Sequence, residues 1–260
     1  MKNNFLLALT VAISLTACKK NPGSQDAKGY TKGSTITIGN GKAWSWIQTG
    51  KENKPLAVGV TLTTSALQNL PHAFNESGAQ DNMFVLKLPK LKSTTVFDHV
   101  GLDWNPRGRE LGSVYDKALF DFKFYMVSEN ERSEINSYGT DSIKKVKPEP
   151  AYLPSSYIMG SGAESKMDVH WVDVTSPELD PVNHSAFTQT FIYGSNNGKV
   201  TFYEPMITLA FLKNTSGFQR NIPQPAKFAR SGYYPTKMHI QKYNDEIHII
   251  MDGFIYRRQA

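Results

Sequence analysis

Six histidines, His72, His99, His170, His184, His239 and His248, are the first residues to weigh for metal or proton chemistry. No two stand at the HxH or HxxxH spacing that sets two imidazoles on one face of a strand or helix. A lone histidine is more often a hydrogen-bonded structural residue than a ligand. His170 is the strongest of the six. It stands beside Trp171 and Asp173, and in a strand it shares a face with Asp168, whose carboxylate then orients the ring. Glu204 is the second singular residue. A regular strand buries it between Phe202 and Met206, where a carboxylate needs a partner, whereas a bulge at Pro205 turns it to solvent. Both readings stay open. Asp121 and Lys123 share the polar face of one strand and read as a surface ion pair worth a few tenths of a kcal/mol. Trp44 and Trp46 also share a face, as a sugar-stacking platform or, the better reading, as core packing. No GxSxG, Walker A, dinucleotide or HExxH motif occurs.

The one cysteine, Cys18, fixes the expected address. Lys2 supplies a positive start, Phe5 to Leu15 is an almost unbroken apolar run, and small residues follow, the three parts of an export signal. The run falls short of the roughly 20 apolar residues that span a bilayer. Leu15-Thr16-Ala17-Cys18 matches the lipobox, in which the cysteine is acylated and becomes the new N-terminus. This reading makes 1–17 a lipoprotein signal peptide and 18–33, rich in Gly, Ser and Lys, a flexible tether. The remaining 34–260 is a single domain tied to a bacterial membrane outside the cytoplasm. With Cys18 acylated, the mature chain has no thiol for disulfides, metal binding or nucleophilic attack. No later segment is apolar enough to cross a membrane.

Hydrophobic residues at 40% and charged residues at 20% describe a folded globule. The formal charge of +6 is scattered, apart from Lys144, Lys145 and Lys147 beside Pro148 and Pro150, which read as a solvated loop. Nucleic acid is therefore not an expected partner.

Strand signals dominate and must position the candidates. Thr35 to Ile38 and Ala43 to Gln48 flank the turn Gly39-Asn40-Gly41 as a hairpin. Further strands are expected over Leu56 to Thr63, Met83 to Leu88, Ser93 to Leu102, Met167 to Val174, Phe187 to Tyr193 and Val200 to Leu212. The clearest is set by Phe120, Phe122 and Phe124, whose period of two buries the rings and leaves Asp121 and Lys123 on the opposite face. Ser65 to Leu70 reads as a short helical turn capped by Thr64 or Ser65. Ser128 to Ile135 reads as a helix, with Glu131 at capping-box spacing from Ser128. Lys237 to Tyr243 and Glu246 to Met251 form a last hairpin that sets Ile240 opposite Ile249 and Met238 opposite Met251, with His239 and His248 together on the other face. The predicted fold is mainly β, an antiparallel sandwich or barrel-like domain with one or two short helices. Trp104 with Phe120 and Phe124, and Trp171 with Phe187 and Phe191, form two similar stretches, read either as two related β-layers or as coincidence.

Several short elements together resemble a known family. Gly39-Asn40-Gly41 with Trp46, Val58-Gly59-Val60, Asp103-Trp104-Asn105-Pro106, Phe120-Asp121-Phe122, His170-Trp171, Phe191-Ile192-Tyr193-Gly194 and Glu204-Pro205-Met206 are similar to exported bacterial proteins of unknown function, related to a secreted Thermus protein under sigma-E control. The resemblance runs through nearly the whole domain. It implies a β-rich fold and homo-oligomer formation, and no known reaction. It also implies a histidine cluster at positions held here by Arg109, Leu119 and Lys123, while Asp121, His170 and Glu204 match. Protonated Arg109 and Lys123 cannot ligate a metal, so neither a metal nor another cofactor is expected, and Lys123 is expected to pair with Asp121 or Glu204.

The expected function is that of a membrane-tethered envelope lipoprotein, a non-catalytic binding or structural module whose pocket lies near Arg109, Asp121, Lys123, His170 and Glu204. The alternative is a metal-dependent enzyme acting on a small envelope or extracellular substrate, with a site rebuilt from His170, Glu204 and a further histidine such as His99. Cys18→Ser tests the address. It should leave an unprocessed precursor or a product without acyl groups, read by lipid labelling and membrane fractionation. A variant still cut before position 18 and held by membranes would refute lipidation there.

Overall fold

The computed structural model describes residues 25, 28–71, 83–90, 95–109, 114–135, 146–160, 169–182 and 185–260. The lipobox with Cys18, His72, His184, Asp168, Lys144 and Lys145 lie outside these residues.

Two antiparallel sheets face each other as a sandwich, and neither closes into a barrel. The first has six strands. In spatial order they are β1 (Tyr30–Ile38), β2 (Gly41–Thr49), β3 (Pro55–Thr63), β14 (Glu246–Asp252), β13 (Lys237–Tyr243) and β11 (Gly217–Asn221). The second has seven: β4 (Met83–Lys87), β5 (His99–Asn105), β6 (Leu119–Tyr125), β10 (Lys199–Thr208), β9 (Gln189–Asn196), β8 (Val169–Asp173) and β7 (Tyr157–Met159). A small pair, β12 (Gly232–Tyr234) and β15 (Ile255–Arg257), stands apart.

Period-two alternation builds the core. Val58, Val60, Leu62, Ile247, Ile249 and Met251 project inward from the first sheet. Phe120, Phe122, Phe124, Phe191 and Tyr203 meet them from the second, and the three phenylalanines of β6 have no solvent-exposed surface. Burial at about 25 cal/mol per Å² of apolar area makes these rings the main source of stability. The last hairpin pairs as the sequence predicts, with Ile240 opposite Ile249 and Met238 opposite Met251. Asn197 and Gly198, at φ +44° and +76°, make the tight turn between β9 and β10, a two-residue geometry that follows strand twist.

Several expectations are corrected. β1 begins at Tyr30, so the last four residues of the expected tether are strand. The strand expected from Ser93 begins at His99 among the described residues. The apolar run Val200 to Leu212 is not all strand: Thr208 accepts a hydrogen bond from the Phe211 amide and opens the short helix α2 (Leu209–Asn214). The turn after β3 is a 3-10 helix, Thr64–Leu67, with Thr63 at its N-cap and no side-chain cap bond. The capping box of α1 (Glu129–Ile135) does form, with Ser128 and Glu131 bonded reciprocally. Trp104 and Trp171 do not mark two layers. They stand on β5 and β8, symmetrically about β10 in a single sheet.

Phe122→Asp places a carboxylate in the sandwich interior, where it has no partner. We expect it to cost more than about 4 kcal/mol, so that urea denaturation finds the variant largely unfolded in buffer. A stable variant would mean that Phe122 is not part of the packed interior.

Candidate functional site

The outer face of the seven-stranded sheet carries the chemistry. On β5 the face opposite Val100, Leu102 and Trp104 presents Gly101, Asp103 and Asn105, and on β6 the face opposite the phenylalanines presents Asp121 and Lys123. Asp103 and Asp121 are direct cross-strand partners. Two like charges in that position repel, so each needs a cation. Lys123 Nζ lies 2.5 Å from Asp103 Oδ2, with both side chains almost fully buried. Arg109, just after β5, bonds Asp121 through Nη2 and through Nε at 3.1 Å, and Asn105 Nδ2 donates to the same carboxylate oxygen at 2.7 Å.

Glu204 stands on β10 between these pairs and His170. It is fully buried, which closes the alternative of a bulge at Pro205: the pairing runs without a step through Glu204–Ile192, Pro205–Phe191 and Met206–Thr190. The irregularity in β10 falls earlier, between Val200 and Phe202. His170 Nε2 approaches Glu204 Oε2 to 3.3 Å, and Arg109 Nη2 approaches Oε1 to 3.7 Å. Neither approach makes a hydrogen bond, and both Glu204 oxygens are buried without one. Gly194 makes room for this corner. A Cβ there would lie 2.0 Å from the Phe202 ring, which packs across it and meets the His170 ring edge-on at 5.7 Å.

Electrostatics divide the cluster. Burial, and then Asp121, push the Glu204 carboxyl up to about 8, against the pull of Lys123 and Arg109. Burial pushes His170 well below its ordinary value, and Arg109 and Lys123 add to the shift. Burial also opposes charge on Lys123, but the Asp103 carboxylate outweighs it and the ammonium is held more tightly than usual. Near neutral pH Glu204 is therefore protonated and His170 neutral, beside the ion pairs that Lys123 and Arg109 make. The arrangement holds a proton on Glu204.

All five residues expected near a pocket, Arg109, Asp121, Lys123, His170 and Glu204, come together here. Two expectations about them are corrected. Asp121 and Lys123 are not a surface pair, because the outer face of β6 is covered. Lys123 pairs with Asp103, not with Asp121 or Glu204. Asp103 and Asn105 are the residues that sequence reasoning missed as site members, although the alternation through β5 carries the signal. His99 does not converge on Glu204. It bonds Asp98 at 3.0 Å and stacks on Tyr125, and Tyr125 and Phe202 stand between it and His170. His239 and His248 share a face of their hairpin but take separate partners, Asp252 at 3.0 Å and Thr61 at 2.8 Å. Trp44 and Trp46 are neither an open platform nor part of the sandwich interior. They are buried on the outer face of the six-stranded sheet, bonded to Tyr30 and Thr61.

A family model described as TTHB210-like, hypothetical protein TTHB210, matches residues 50–104. The match supports a relation to the family of a hypothetical Thermus protein and reaches from β3 to Asp103 and Trp104 of the candidate site. No curated protein and no solved structure matches the chain.

Glu204 gives the site a pH signature. Its folded value lies above the ordinary 4.5, so the folded state holds a proton that the unfolded state releases, and this stabilisation is lost as pH rises toward about 8. His170 acts in the opposite sense but only below 6.5, above which it is neutral in both states. Between pH 6.5 and 8 stability should therefore fall by roughly 2 kcal/mol, and Glu204→Gln should flatten that fall. Chemical denaturation at a series of pH values reads both, and an unchanged slope in the variant would reject a protonated Glu204.

Proposed function

We propose that the chain is a lipid-anchored module of the bacterial cell envelope, belonging to the lineage of the hypothetical Thermus protein, that binds or supports other envelope components without catalysing a reaction. The address rests on Leu15-Thr16-Ala17-Cys18. The non-catalytic reading rests on one observation: the cluster is internally neutralised. Lys123 and Arg109 already sit on Asp103 and Asp121, with side chains 10% exposed or less, so neither cation has an open side for a substrate. Catalytic sites keep such a position open to the reacting group.

The same pairs bear on the metal that the family resemblance implies. A metal would have to share Asp103 and Asp121 with Lys123, Arg109 and Asn105, which already hold one oxygen of each carboxylate, and two fixed cations repel a third. These residues do not fit the group.

A second reading, a metal-dependent enzyme acting on a small envelope or extracellular substrate, is favoured by a different observation. Asp103 Oδ1, Asp121 Oδ1 and both oxygens of Glu204 are buried without hydrogen-bond partners. Buried carboxyl oxygens without partners are costly, and a cation that displaced the Glu204 proton would satisfy them. Elemental analysis of the full chain purified from membranes separates the two. We expect well under one equivalent of zinc, iron or copper, and no rise in Tm when zinc is added. One tightly held equivalent would replace the first reading by the second.

A further inference from the structure

A cavity of about 480 Å³ lies away from the charge cluster, between the start of α1, the β9–β10 turn and the segment 225–230. It is within the range of about 300–1,000 Å³ usual for small-molecule sites. Tyr203 lines it from the face of β10 opposite Glu204, so one strand serves both places without sharing a side chain.

Three features of its wall point to one class of ligand. An aromatic wall comes first: Tyr203, Phe228 and Tyr234 are buried against one another as its backing, with centroids of the last two 4.5 Å apart, and the half-buried Tyr152 is the ring with surface left toward the cavity. Such surfaces stack on a flat or sugar ring. Charge comes second. Lys199, Lys227 and Arg230 line the cavity from exposed positions, against a single carboxylate, Glu131. Glu131 is already engaged by the Ser128 amide and hydroxyl, which hold it below the usual carboxyl range. The third feature is Asn196, about nine-tenths buried, whose side-chain Nδ2 has no acceptor. A buried donor without an acceptor, beside three cations and a patch of rings, is complementary to an oxygen anion carried on a ring.

We propose that this cavity binds an organic acid in which a carboxylate is attached to a six-membered ring. The ring stacks on Tyr152 at the open side of this aromatic wall, the carboxylate accepts from Asn196, and Lys199 and Lys227 neutralise it. Arg230 is partly committed, since its Nη1 donates to the Met126 carbonyl at 2.7 Å and so fixes the wall. The chemistry is shared by a uronic acid unit of a glycan and by a free aromatic acid.

Calorimetric titration of the full chain in detergent with D-glucuronate and with 2-naphthoate distinguishes these sources, with D-glucose and 2-naphthalenemethanol as neutral counterparts. At least one acid should bind at least tenfold more tightly than its neutral counterpart. Glucuronate binding identifies the sugar-acid source and naphthoate binding the aromatic one. The double change Lys199→Glu with Lys227→Glu, at exposed positions, should abolish binding, and Asn196→Leu should weaken it about tenfold, the scale of a charge-assisted hydrogen bond. Glu204→Gln, in the separate cluster, should leave it unchanged. The proposal is overturned if neither acid binds below 10 mM (about the weakest affinity such titrations resolve), if the neutral counterparts bind equally well, or if the lysine and Asn196 variants bind like the unmodified chain. Metal content of the Glu204 cluster bears on none of these outcomes.

Discussion

Strand β6 is buried on both faces, and that constraint organises the second sheet. Its phenylalanines fill the sandwich, so Asp121 and Lys123 must point to the other side, which is also covered. An ammonium without access to water has to be neutralised nearby, and the nearest carboxylate is one strand away, on Asp103. Asp103 in turn stands opposite Asp121, so a second cation is required, and Arg109 is delivered from the end of β5. Replacing such pairs by apolar residues is often neutral in stability, whereas removing one partner costs several kcal/mol. Their consequence here is therefore geometric. They hold the end of β5 against β6, and they set the field in which Glu204 keeps its proton.

β10 carries this order across the sheet. Placed at the centre, with β6 on one side and β9 on the other, it alternates between two environments. Glu204 faces the charge cluster, while Tyr203 packs among Phe97, Phe191 and Tyr193 in the core. Phe202 lies on Gly194 and closes one end of the cluster against His170. A side chain at position 194 would displace that ring. The small residue in β9 is thus part of the site, although it carries no chemistry.

What was legible in the sequence was local. The register of the last hairpin followed from the two-residue gap between Tyr243 and Glu246 and the alternation on either side of it. The capping box of α1 followed from Ser128 and Glu131, and the inward face of β6 from three phenylalanines at a period of two. What failed was non-local. Asp121 and Lys123 looked like a surface pair because alternation says which residues share a face, not whether that face is covered. Asp103 as the partner of Lys123 follows only from which strand pairs with β6. Helix α2 was hidden because Leu209 to Leu212 continues the apolar run of β10, and an apolar stretch has no strand or helix period of its own. Glu204 was ambiguous for a related reason: a proline within a central strand argues for a bulge, yet β10 accepts Pro205 without a step in register.

The same electrostatic rule then separates the charge cluster from the cavity. In the cluster, the cations are buried and each is matched to a carboxylate, so an incoming anion finds no uncompensated charge, and a buried site cannot gain one without a desolvation cost. At the cavity lined by Tyr203 and Phe228, the cations are exposed and outnumber the single carboxylate, which is itself tied to a helix N-cap. There an anion exchanges water for paired charge and ring contact, with less desolvation to overcome. Burial, more than residue type, decides which lysines of this chain face a ligand: Lys123 is an internal counter-ion, while Lys199 and Lys227 face outward.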